Sequence, residues 1–330
     1  MQLAKGYVEE VKFKDHAHVL KLTSTLQGDR SVYLSFLSVT LYNKWLKRAQ
    51  KATAKLPTKA DLSKCHLEYL PEALFINEDL KTLNLRHNAL RERPIEEDIY
   101  NIGWLDDLPR FYNLCTLNLA NNDLKSFPLA ICSIRSLVEL NMASNKLEEI
   151  PSEIVELCRL QILRLHNNHL TCLPEEMGNM KRLSVVILAF NHFTTVPQVL
   201  LRLHGSSETM DSIIMAGNYI ERLPGDLLSR MKLIKKIDFR MNRLTLLPSE
   251  IAKFQCLEFM THLDIRDNNI QNLDIRALKG LVYLNCERNS MYTLQLSGVG
   301  LKYVYAGHNE LKSLNITPKP EWLIDIDISQ

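Results

Sequence analysis

Ten asparagines hold a fixed place behind leucines in this chain, and that spacing constrains its fold more than any other feature. LKTLNLRHNAL, LCTLNLANNDL, LVELNMASNKL and LQILRLHNNHL share the template L-x-x-L-x-L-x-x-N-x-L, which recurs through seven further segments. The asparagines are Asn88, Asn122, Asn145, Asn168, Asn191, Asn218, Asn242, Asn268, Asn289 and Asn309, with Cys65 in the equivalent place one repeat earlier. Most steps run 20 to 27 residues. A helical protein with coincidental leucines would not keep asparagine in phase with them.

Each position has a physical reason. In L-x-x-L-x-L alternate residues point inward from a short strand, and the asparagine amide carries donors and acceptors for the turn that follows. Between strands, IPSEIVEL, LPEEMGNM, VPQVLLRL and LPSEIAKF place proline at the first turn of a short helix or helical coil on the convex side. Pro71, Pro128, Pro151, Pro174, Pro197, Pro224 and Pro248 recur there. Residues 53–330 are therefore expected to form an α/β leucine-rich-repeat solenoid, a horseshoe with a parallel concave sheet, of about eleven repeats plus an incomplete last one. The 34-residue step from Asn88 to Asn122 holds an insertion at 91–110, either a docking loop or a loop packing Trp104 over the convex face. The last two complete repeats, of 21 and 20 residues, lose the L-P-x-E-I pattern, which predicts tighter connections and a change in curvature.

The ends depart from the repeat. Within residues 1–52, HVLKLTSTL and SVYLSFLS read as strands. TLYNKWLKRAQKA reads as an amphipathic helix burying Leu41, Trp45 and Leu46 and turning Lys44, Lys47, Arg48 and Lys51 to solvent. Strands followed by a tryptophan-bearing helix resemble the C-terminal part of a pleckstrin-homology domain, truncated before that family's phosphoinositide loop, so no direct membrane binding is expected of it. An ordinary N-terminal cap for the solenoid is the alternative. At the other end, WLIDIDISQ supplies Ile326 and Ile328 of a further repeat and stops one residue before its asparagine, which predicts that the native protein continues.

Composition narrows function by exclusion. Forty Lys and Arg against thirty-eight Asp and Glu leave +2, no bulk electrostatic reason to bind nucleic acid. Seven cysteines without a C-x-x-C pair indicate neither a disulfide framework nor a zinc site. The N-terminal segment lacks an apolar signal core, and the longest apolar run, Val185 to Phe190, is far too short to span a bilayer, so a cytoplasmic location is expected. No G-x-S-x-G, P-loop or H-E-x-x-H occurs. Asp238, Asp264, Asp325 and Asp327 do not make the convergent cluster of a two-metal site, and Asp238 and Asp264, with Arg240 and Arg266 two residues on, read as a solvated charge pattern. No catalytic residue, cofactor or metal is expected, and His66, His87, His166, His169, His192 and His308 fall near repeat turns, hydrogen-bonded or exposed.

The candidate site is the concave face, roughly 50 Å long at about 4.8 Å per strand. Ile162, Val185, Ile187 and Ile214 occupy outward positions of three neighbouring repeats, an apolar patch suited to a protein partner. Arg164 lies within this stretch, Arg240 and Arg266 lie beside it to steer an acidic segment, and Tyr283, Tyr303 and Tyr305 are of a type favoured in interface hot spots. Another part of the same full-length protein is the alternative occupant.

The order of parts carries a resemblance. The helix YNKWLKRAQKA, then DLSKCHLEYLPEALF and LKTLNLRHNAL, then IIMAGNYIERL, IDFRMNRL, HLDIRDNNIQNLDI, YLNCERNSM and YVYAGHNEL, resemble the PH-domain leucine-rich-repeat protein phosphatases across essentially the whole chain. The resemblance implies a docking and targeting region of a signalling serine/threonine phosphatase that acts on kinases, which makes a protein kinase a candidate partner. That family's metal-dependent phosphatase domain follows further repeats and has no counterpart in these residues, so no enzymatic activity is expected of them. A stand-alone cytosolic adapter of a Ras or kinase pathway is the alternative.

Overall fold

The leucine template becomes strands of three residues each, stacked in sequence order. The computed structural model describes residues 7–13, 16–24, 30–54, 57–71, 74–75, 77, 79–90, 105–206, 212–224, 234–247 and 259–329. Trp104, Pro248, Cys256 and most of both the insertion and LPSEIAKF lie outside the described residues.

The N-terminal residues form an antiparallel sheet, β1 (Tyr7–Phe13), β2 (His16–Ser24) and β3 (Arg30–Ser35), followed by α1 (Val39–Ala54). β1 is additional to the two strands expected, because its charges mask its alternation in the sequence. Glu9 stands opposite Lys21 of β2 and pairs with it at 2.8 Å. Of the expected stripe only Leu46 packs inward: Tyr42 and Ala49 are buried, with Leu46 beside them, against Leu20 and Leu22. Leu41 and Trp45 remain 47% and 41% exposed. Tyr42, Leu46 and Ala49 follow i, i+4, i+7 on one face, and Leu41 and Trp45 sit one stripe away.

The repeats begin at β4 (Lys59–Asp61) and continue through β5 (Thr82–Asn84), β6 (Thr116–Asn118), β7 (Glu139–Asn141), β8 (Ile162–Arg164) and β9 (Val185–Ile187). Then come α2 (Gln198–Ser206), β10 (Ser212–Ile214), β11 (Lys236–Asp238) and β12 (His262–Asp264). After these, β13 (Asn272–Ile275), β14 (Tyr283–Asn285), β15 (Thr293–Leu296), β16 (Tyr303–Tyr305), β17 (Ser313–Ile316) and β18 (Asp325–Asp327) complete the array. Twelve strands, β4 to β12 with β14, β16 and β18, make one parallel sheet among the described residues. Their central residues, among them Leu83, Leu117, Leu140, Leu163, Val186 and Leu284, are buried in a single core.

On the convex side, short 3-10 turns at Leu129–Ser133, Ser152–Glu156 and Glu175–Asn179 follow Pro128, Pro151 and Pro174. Each proline stands one place before the turn, extended, and its carbonyl accepts the bond from the residue three on, as Ile131 N–H does at 3.0 Å. The 27-residue step from Asn191 to Asn218 leaves room for α2, whose Leu200 N–H bonds Pro197 O at 3.0 Å. The described end of the insertion, Leu105–Arg110, is another 3-10 turn that buries Leu105 and Leu108. In the shortened repeats β13, β15 and β17 replace the helical turns with a second parallel sheet. Strands spaced about 4.8 Å apart on both sides cannot fan outward, so this part of the array is expected to curve less.

Candidate functional site

The asparagine ladder holds the concave strands in register. Asn145 is typical: its Nδ2 donates to Leu119 O of the preceding repeat and Met142 O of its own, both at 3.0 Å. Its Oδ1 accepts from Asn122 N–H and Leu124 N–H at 3.0 and 3.1 Å. The amide thus replaces ladder bonds that the turning backbone no longer makes. Cys65 occupies the equivalent place but is exposed, and its N–H donates to Asn88 Oδ1 at 3.0 Å. The ladder falters once: Asn122 Oδ1 is buried without a partner, at the step where the insertion leaves the repeat. The residue before each asparagine takes a left-handed backbone, as at His87, Asn167 and His308, residue types that tolerate it.

A second set of side chains caps the strands on the concave face. Asn84, Asn118 and Asn141 accept through Oδ1 from the backbone N–H two residues on, at 3.2, 3.0 and 3.0 Å. Asp238, Asp264 and Asn285 do the same further along. At Arg164, Ile187 and Ile214 the side chain has no acceptor, so the polar row is broken over three successive strands.

That break is where five of the expected residues meet. Ile162 stands beside Val185, and Ile187 beside both Arg164 and Ile214, with all five half-buried. Ala189 and Ala216, two residues beyond Ile187 and Ile214, are buried, and Phe190 and Met241, in the turns after β9 and β11, are 43% and 48% exposed. Sequence reasoning missed these four because alanine is not a recognisable hot-spot type, and Phe190 and Met241 occupy the left-handed turn position, where bulky residues are unusual.

The arginines are already answered. Arg164 pairs with Glu139, Arg240 with Asp238 at 3.6 Å, and Arg266 with Asp264 at 3.5 Å. Asp238 is itself buried and Asp264 half-buried, so the charge pattern expected to be solvated is instead largely withdrawn from water. Burial, and then the neighbouring Asp238, raise the pKa of Asp264 against the opposing pull of Arg266 and Arg240. His166 lies in the same face with its Nδ1 buried and unpartnered, and burial followed by Arg164 and Arg86 lowers its pKa. Tyr283, Tyr303 and Tyr305 gather on β14 and β16: Tyr283 and Tyr303 are direct neighbours, and the Tyr283 and Tyr305 rings lie 5.8 Å apart. The tyrosines and the isoleucine patch are separated by β11 and β12 and do not touch.

Comparison with known proteins agrees with this architecture. A model of the Leucine Rich Repeat family matches residues 159–180. A Leptospira interrogans LRR protein superposes with a TM-score of 0.56 at 23% identity, over 78% of this chain and 83% of its own, a likeness of fold alone. The PH domain leucine-rich repeat-containing protein phosphatase 1 of Mus musculus is 49% identical over 330 residues, the whole of this chain. Its Homo sapiens counterpart is 48% identical over the same length. Over its whole length the chain resembles the PH domain leucine-rich repeat protein phosphatases. It spans 19% of the length of these relatives. Among the described residues, no group of three or more His, Cys, Asp or Glu side chains could hold a metal ion, and no helix is long and apolar enough to cross a membrane.

Proposed function

We propose that this chain is a docking and targeting region of a serine/threonine phosphatase, gripping a protein partner on the concave face. The observation that carries the reading is the half-buried apolar patch of Ile162, Val185, Ile187 and Ile214, set where the polar capping row is interrupted. Aliphatic side chains aligned across three strands offer desolvation to a partner, and the balanced charges beside them set orientation more than affinity. Kinship with phosphatases of 49% identity supports a role in bringing substrate to a catalytic domain, with a protein kinase as the partner and a cytoplasmic setting. The N-terminal sheet and helix stand for the end of a pleckstrin-homology-like unit in this reading.

The test uses the full-length phosphatase carrying Ile187→Ala and Ile214→Ala. Dephosphorylation of a kinase substrate is expected to fall about tenfold, about 0.7 kcal/mol of docking energy per anchor, with turnover of p-nitrophenyl phosphate unchanged. Unchanged activity on the protein substrate would sink the reading.

A further inference from the structure

Charge on the concave face is distributed unevenly. Arg164, Arg240 and Arg266 each have a carboxylate of their own or a neighbouring strand, as described. Glu287, Asp325 and Asp327, beside the tyrosines, form no ion pair among the described residues. They accept hydrogen bonds from Asn285 Nδ2, Tyr305 Oη and Ser329 N–H at 3.1, 3.0 and 2.9 Å. From β11 to β18 the outward positions carry three cations, Lys236, Arg240 and Arg266, against five carboxylates, and the excess negative charge lies at the tyrosine end. His262 stacks on Tyr283 at 5.7 Å, so the aromatic row is continuous from β12 to β16.

Aromatic faces flanked by unanswered carboxylates attract a cation by ring quadrupole and by charge together. A segment rich in Asp or Glu would meet arginines already paired and carboxylates without an ion-pair partner of their own. Four inter-strand steps separate Ile214 on β10 from Tyr305 on β16, roughly 19 Å at about 4.8 Å each, which an extended chain crosses in about six residues. We propose that the concave face takes an extended basic segment of a partner protein. An aliphatic side chain lies on Ile187 and Ile214, and an arginine or lysine about six residues along lies among Tyr283, Tyr303 and Tyr305. This rests on concave docking and reverses the sign expected from the arginines alone.

The test pans a displayed library of random peptides on the 330-residue chain. Binders are then re-measured on Tyr303→Ser, on Asp325→Asn with Asp327→Asn, and on Ile187→Ser with Ile214→Ser, each checked for native circular dichroism. Enriched peptides are expected to carry Arg or Lys about six residues from Leu, Ile or Val and to bind the first two variants about tenfold more weakly. They are also expected to weaken as salt rises and to bind Tyr303→Phe, which keeps the ring, as they bind the parent. Enrichment of acidic peptides, or of basic ones indifferent to the tyrosine and aspartate changes, overturns the partner chemistry and leaves concave docking standing. Peptides indifferent to the isoleucine changes as well, or no enrichment at all, overturn both.

Discussion

Asn168 donates to Met142 O and Leu165 O, both at 3.0 Å, and accepts from Leu147 N–H at 3.0 Å, all in the interior. Asn168→Ala strands those backbone groups and is expected to cost about 2–4 kcal/mol in urea unfolding. Asn122→Ala is expected to cost about 1 kcal/mol less, because no N–H depends on its Oδ1. A finer case is Gly217, at φ +66°, where an added Cβ would fall 2.4 Å from the Phe190 ring. Gly217→Ala is expected to lose about 1–3 kcal/mol, and Phe190→Ala in the same chain to restore the steric share but not the left-handed backbone share, which a double-mutant cycle separates. The asparagines were legible because each repeat needs the same bond. The Phe190–Gly217 contact was not, because neither residue follows the template.

At the level of strands and helices, what the sequence withheld was the choice between equivalent patterns. α1 offers two adjacent apolar stripes, Leu41 with Trp45 and Tyr42 with Leu46 and Ala49, and only the partner surface of Leu20 and Leu22 selects the second. NLDI, TLQL and SLNI alternate with a period of two, yet their place in the repeat is normally a helical turn, which hides β13, β15 and β17 until their pairing is seen. The concave positions were readable from alternation alone, whereas the pairing of Arg164 with Glu139 and the setting of Asp264 beside Asp238 depended on how strands lie side by side. Asp264 turns that placement into a pH effect. Its folded pKa is raised above the ordinary 3.8, so ionisation destabilises the folded state above the folded pKa, and the penalty fades as pH falls through it. Asp264→Asn keeps an acceptor for Arg266 N–H and is expected to raise the melting temperature at neutral pH, with the difference vanishing below about pH 3.8. Thermal scans from pH 3 to 8 check it; no gain at neutral pH would contradict the assignment.

At the scale of the molecule, the buried apolar side chains among the described residues divide into two separate clusters, a small one of Leu20, Leu22, Tyr42 and Ala49 and the long core of the repeats. Amide hydrogen exchange is expected to show residues 16–49 opening at lower free energy than β5 to β16, since few buried side chains must be exposed. Uniform protection would argue against independent cores. The change from helical turns to β13, β15 and β17 has a mechanical consequence. Where only the concave edge is hydrogen-bonded between repeats, the array bends like a leaf spring; where both edges are bonded, it resists like a plank. The tyrosines sit on the doubly bonded stretch and the isoleucine patch on repeats with helical convex turns, so the tyrosine end of the face is expected to be the more rigid.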